Sequence, residues 1–122
     1  MQFLNECVAG LQVGILAQFD DQGLITARTT GRIIGIVSKV FESPVSMDDP
    51  TIIHIAEITT HGHCLNVILQ GSASWQGSDL YANGDRLTAT VNGNPIAQLM
   101  PRTLGQDKVN FADGDLVTVV MI

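Results

Sequence analysis

Charge is scarce in this chain. Only 15% of its 122 residues are Asp, Glu, Lys or Arg, against about a quarter in an average soluble domain. The balance is acidic, with 6 Lys+Arg, 12 Asp+Glu and a net charge of -6. Nonspecific binding to nucleic acid or to an anionic membrane needs a positive field, so neither is expected as a partner. Aromatics make up only 5%. The two cysteines, Cys7 and Cys64, are too few for a disulfide framework and read as packed free thiols. The longest apolar run is Ile33 to Val37, far below the roughly 18 residues of a membrane span. The start, MQFLNECVAGLQVGIL, has no basic region and contains Glu6, unlike a signal peptide. The expectation is a soluble protein made in the cytoplasm.

What the chain does have is turn residues between short apolar alternations. Its length suits one domain with a single core, burying roughly two thirds of the unfolded surface. Sparse charge beside many small and β-branched residues suggests that a partner, or copies of the chain, cover part of the surface. Residues 1–12 lack alternation; Met1, Phe3, Leu4, Cys7, Val8 and Leu11 fit one face of a short helix or an extended arm. Strand patterns begin at Val13. Asp20-Asp21-Gln22-Gly23 reads as a turn, and Arg32 to Phe41 as a hydrophobic strand. Gly35 within it suggests a bulge or a close backbone approach. Glu42 to Thr51 reads as the main loop. Ile52 to Thr60 is apolar on both faces, which implies a central strand or an interface. His61-Gly62-His63 turns into a long strand from Cys64 to Trp75, with Gly71 at a corner.

Asn83 to Ala97 is the clearest local signal. Asn83-Gly84-Asp85 is a turn, Leu87, Ala89 and Val91 alternate with polar residues, and Asn92-Gly93-Asn94 signals a hairpin returning at Pro95. The chain closes on a strand from Leu116 to Ile122. These features predict an all-β fold, a small barrel of about eight to ten short strands at 13–122, preceded by an arm or short helix at 1–12. A shift of 70 residues aligns Gly14 with Gly84, Gly23 with Gly93, Ala27 with Ala97, Arg32 with Arg102, Gly35 with Gly105 and Phe41 with Phe111. A duplicated hairpin unit and chance agreement among turn glycines both fit.

The candidate chemistry is thin. His61, His63 and Cys64, with His54 nearby, are the metal-ligand types in one stretch. Alternation along a strand would turn Cys64 away from the two histidines, and solvated turn histidines are commoner. Glu42 with Asp48-Asp49, and Asp20-Asp21, lack the spacing of a calcium loop. Asp113-Gly114-Asp115 has turn chemistry. No nucleophile elbow or phosphate loop is present. Neither an enzyme nor a cofactor or metal is expected. Trp75 and Tyr81 are the large amphipathic aromatics, candidates for oligomer or rim contacts.

The succession of short patterns carries a resemblance. Gly31 to Val40 (GRIIGIVSKV) precedes Val67 to Trp75 (VILQGSASW), then Asn83 to Ala89 (NGDRLTA), Gly93 to Ala97 (GNPIA) and the terminal DGDLVTVVMI. In this order they resemble the small β-barrel decoration, or cement, proteins of tailed-bacteriophage capsids, the lambda-type head-stabilising group. The resemblance implies a homotrimeric virion protein on the outer capsid surface, bridging subunits of the major capsid protein shell. It also implies a capsid-binding N-terminal arm, which here comprises Met1, Gln2, Phe3, Leu4 and Val8. A head-fibre or tail-spike module binding host glycans is the alternative, and a small metal protein using His61, His63 and Cys64 a third.

Overall fold

The computed structural model describes residues 1–74, 78–101 and 110–122. They form twelve strands and no helix: β1 (Gln2–Glu6), β2 (Leu16–Phe19), β3 (Ile25–Ala27), β4 (Gly35–Pro44), β5 (Ile52–Thr59), β6 (Gly62–Gln70), β7 (Ala73–Ser74), β8 (Asp79–Asn83), β9 (Arg86–Thr88), β10 (Ala97–Leu99), β11 (Asn110–Phe111) and β12 (Leu116–Met121). The fold is all-β and contains a closed barrel, ordered β10-β12-β6-β9-β8. Beside it lies a five-stranded sheet, ordered β1-β5-β4-β2-β3. β7 and β11 make a small separate pair.

Two cores follow from the strand period of two. Successive side chains point to opposite faces. In β2, Leu16 joins the barrel core while Ala17 joins the sheet core. In β4, Ile36 goes to the barrel and Val37 to the sheet. This is why these strands are apolar on both faces: each is sandwiched between two cores. The barrel core holds Leu69, Leu80, Leu87, Val67, Val117 and Val119, each at most 3% exposed. The sheet core is built from smaller parts: Cys7, Ile15, Ala17, Ile25, Val37, Ala56 and Ile58.

Backbone bonds fasten the two units together. The Gly14 N–H donates to Val37 O, the Ile68 N–H to Gly14 O, and the Leu16 N–H to Asp85 O. Gly14 is required here, because a Cβ would strike the Asn66 carbonyl and its φ is 90°. Asn66 itself has φ 57° and sits where β6 bulges against β12. Gly35 is the close approach its position in the sequence suggested. A Cβ there would lie 2.5 Å from Thr59 O and 2.6 Å from Ile58 Cγ2.

Several sequence expectations shift. Residues 2–6 are neither a helix nor a detached arm; β1 pairs with β5 from Gln2↔Thr59 to Glu6↔Ile55. Cys7 continues the closure, donating to His54 O and bridging Ile25 of β3, so the two edges of the sheet meet around it. Glu42 to Pro44 belong to β4, leaving a tip at 45–51. The hairpin around Gly84 forms with Asn83↔Arg86, but its strands are β8 and β9. Asn92-Gly93 lies in the connection to β10, which pairs with β8 and β12 rather than with β9. Gly14, Gly23, Gly84 and Gly93 all have positive φ. Yet β2 pairs with β3, whereas β9 and β10 do not pair. The 70-residue echo therefore repeats turn geometry, not a hairpin.

Candidate interaction surface

The sequence-predicted metal cluster is dispersed. His61 and His63 are exposed, while Cys64 is buried in the barrel core at 3% exposure. No group of three or more His, Cys, Asp or Glu is placed to hold a metal among the described residues. His54 instead faces Glu42 across the β4–β5 ladder, Nδ1 to Oε1 3.8 Å. Burial pushes the Cys64 thiol up, as it does that of Cys7, where the neighbouring Glu6 charge adds to the effect. Both are free thiols held neutral.

The acidic pairs are turn chemistry. The Asp20 carboxylate accepts the Gln22 and Leu24 N–H groups. Asp113 accepts the Gly71 N–H, at the corner where β6 ends. Asp49 accepts the Thr51 N–H, and Ser46 Oγ accepts the Asp49 N–H. Hydrogen bonding from the Thr51 side chain, and then from its backbone N–H, holds the Asp49 carboxyl below its ordinary range. Tyr81 is half-buried on β8 opposite Thr88; Trp75 lies outside the described residues.

Of the N-terminal candidates, Phe3 points inward against the sheet core and Val8 is half-buried beside Ile25. Met1, Gln2 and Leu4 are exposed. Leu4 belongs to a larger feature. In register on the outer face of the sheet stand Leu4–Glu57–Lys39 and Glu6–Ile55–Phe41, then Ile53–Ser43. Leu4, Ile55, Phe41 and Ile53 therefore form an apolar strip belonging to neither core. Lys39 Nζ sits 5.4 Å above the Phe41 ring and borders the strip with charge. This is the outer side of the segment whose two-faced apolar pattern marked a central strand or an interface; β5 is a central strand, between β1 and β4.

Two further features lie at opposite ends of the β4–β5 hairpin. Past His54 the hairpin projects beyond β1 and β2, and its tip exposes Val45, Met47 and Ile52. Met47 is 101% exposed, an extreme for a methionine. At the other end a hollow of about 660 Å³ is lined by Phe3, Phe19, Arg32, Ile33, Ile34, Thr60 and His61. Sequence reasoning missed both. The tip read as a polar loop, and the hollow gathers residues from four separate stretches. No family model matches the chain, and neither a curated protein nor a solved structure matches it.

Proposed function

We propose that this chain is a structural protein of a tailed-phage particle, a decoration protein that binds the outer capsid surface and bridges subunits of the major capsid protein. The observation that carries the reading is the apolar strip Leu4–Ile55–Phe41–Ile53, on the outside of a charge-poor all-β scaffold. Leu4 is exposed and Phe41, Ile53 and Ile55 are half-buried, and apolar side chains left outside the cores of a folded β-sheet favour contact with another protein. The work is binding rather than catalysis, it needs no cofactor, and nucleic acid and membrane are not partners. Many copies, acting as homotrimers across neighbouring shell subunits, would add weak contacts into firm attachment through multivalency.

The N-terminal residues take part as one strand of this face and not as a loose arm. Leu4 supplies contact area from β1, while Phe3 is engaged inside. Among the described residues nothing favours the glycan-binding alternative, since Tyr81 is half-buried.

Co-sedimentation with undecorated phage shells tests the proposal. Leu4→Lys is the variant of choice, because Glu57 faces it across the ladder and an opposite-charge pair there is tolerated. The wild-type chain is expected to pellet with shells, and the variant to bind about tenfold more weakly, a loss typical of an interface anchor. A wild-type chain that stays in the supernatant, or a variant that binds equally well, overturns the proposal.

A further inference from the structure

The two ends of the β4–β5 hairpin complement each other in shape and in charge. The tip is a prong, with Met47 wholly exposed and Val45 and Ile52 each 52% exposed. Asp48 and Asp49 sit on the same tip, both exposed. The hollow is the inverse. Its lining is largely apolar, from Phe3, Ile33, Ile34 and Phe19, the last 43% exposed. Arg32 supplies a cation on its lining.

Arg32 also stands apart from the other described cations. Arg28 donates to the Gly31 and Gly84 carbonyls, Arg86 to Gln12, and Lys39 lies over Phe41. Arg32 has no hydrogen-bond or ion-pair partner among the described residues and is exposed. Among the described residues it is thus open to an anion from outside.

A chain cannot bring its own prong to its own hollow. The two sit at opposite ends of an eight-residue strand, β5, which holds them roughly 25 Å apart at the rise of a β-strand. We propose that the tip of one copy inserts Met47 into the hollow of a second copy, with Asp48 and Asp49 against Arg32. Such a contact joins two different patches and is therefore heterologous. Repeated, it closes into a ring if the rotation allows and otherwise runs on as a filament. The inference uses only the surface of this chain and does not depend on the capsid reading; its test contains no shells.

Sedimentation velocity of the full chain over a range of concentrations is the experiment. Wild-type protein is expected to form species larger than the monomer. Met47→Asp blocks the prong and Arg32→Asp blocks the hollow, and each is expected to weaken association at least about tenfold. Both positions are exposed, and circular dichroism is expected to match wild type. The decisive sample mixes the two variants. One has an intact hollow and the other an intact prong, so the mixture stops at a dimer. The inference is overturned by a wild-type chain that stays monomeric, by either variant assembling as wild type does, or by a mixture that grows past the dimer. Capture of a different protein by the tip, with the wild-type chain monomeric, also overturns it.

Discussion

The barrel and the curled sheet use similar strands but treat their edges differently. The barrel closes on itself through β10-β12-β6-β9-β8, so every strand has two neighbours. Closure removes edges, and the barrel-side core holds thirteen buried residues among those described, dominated by Leu and Val. Among the described residues the sheet has seven buried residues in its core, three of them Ala or Cys, and its ends meet through Cys7 and Val8 at Ile25. Its longest hairpin runs past its neighbours into solvent. Among the described residues the closed unit holds the larger buried core, and the open one bears the strip and the tip proposed as contact surfaces. The two units are joined at Gly14, Leu16 and Ile36.

The largest expected effect falls inside the sheet, where β4 packs closely on β5. Gly35→Val would drive a side chain into Thr59 O and Ile58, at a φ of 148° that an L-residue rarely adopts. Backbone cannot yield as a side-chain tip can, so the loss should be about 3 kcal/mol or more. Urea denaturation measures it, and a loss under about 1 kcal/mol would show that β4 can shift on β5 to make room.

Next come the cores. Leu80→Ala in the barrel, with Leu80 fully buried, should cost about 3–4 kcal/mol. Ile25→Ala in the sheet, equally buried, should cost less, about 2–3 kcal/mol, because a core closed by one bridge can collapse around the gap. Equal costs would erase the distinction between the two units. Because Leu16 and Ile36 of the sheet belong to the barrel core, unfolding should still be a single transition.

A smaller effect is expected from pH. The Cys7 and Cys64 thiols are raised above the ordinary value of 9.0 in the fold. Above pH 9.0 the unfolded chain releases these protons first, so it binds fewer protons than the native state. Stability is then full below pH 9.0 and falls as pH rises toward the folded values. Cys64→Ala should flatten part of that decline, since Cys64 lies deep in the barrel. A profile unchanged by the substitution would assign the decline to other groups.

The smallest effect is at the turns. Gly84 has a φ of 60°, and a Cβ there would meet nothing within 4 Å. Gly84→Ala should cost only about 1 kcal/mol, the conformational penalty alone. The contrast with Gly35 separates a glycine kept for its φ from one kept for space.

Much of this was legible in the residues. The turns at Asp20 to Gly23, at Gly84-Asp85 and at Asp113 to Asp115 are local, set by positive φ and by carboxylates bonding to nearby amides. The apolar period of β4, β5, β6 and β12 is likewise written in each strand. Other features were not legible. β1 does not alternate clearly because Phe3 serves a core while Met1 and Leu4 lie outside. Asn92-Gly93 has the composition of a hairpin turn, but β10 has better partners in β8 and β12.

The sequence alone determined that this chain is all-β, where most of its turns fall, and that its two thiols are packed. Backbone preference and strand period act over a few residues, so they survive without knowledge of the fold. Tertiary structure decided which strands pair, that there are two cores, and that residues 2–7 close a sheet. It also decided that Ile53 and Ile55, on the face of β5 away from its core, are half-buried, and that Phe3, Phe19, Arg32 and His61 share one hollow. Pairing depends on loop closure and on competition among many similar edges. That competition is settled by which arrangement buries the most apolar surface, a property of the whole chain and of no segment within it.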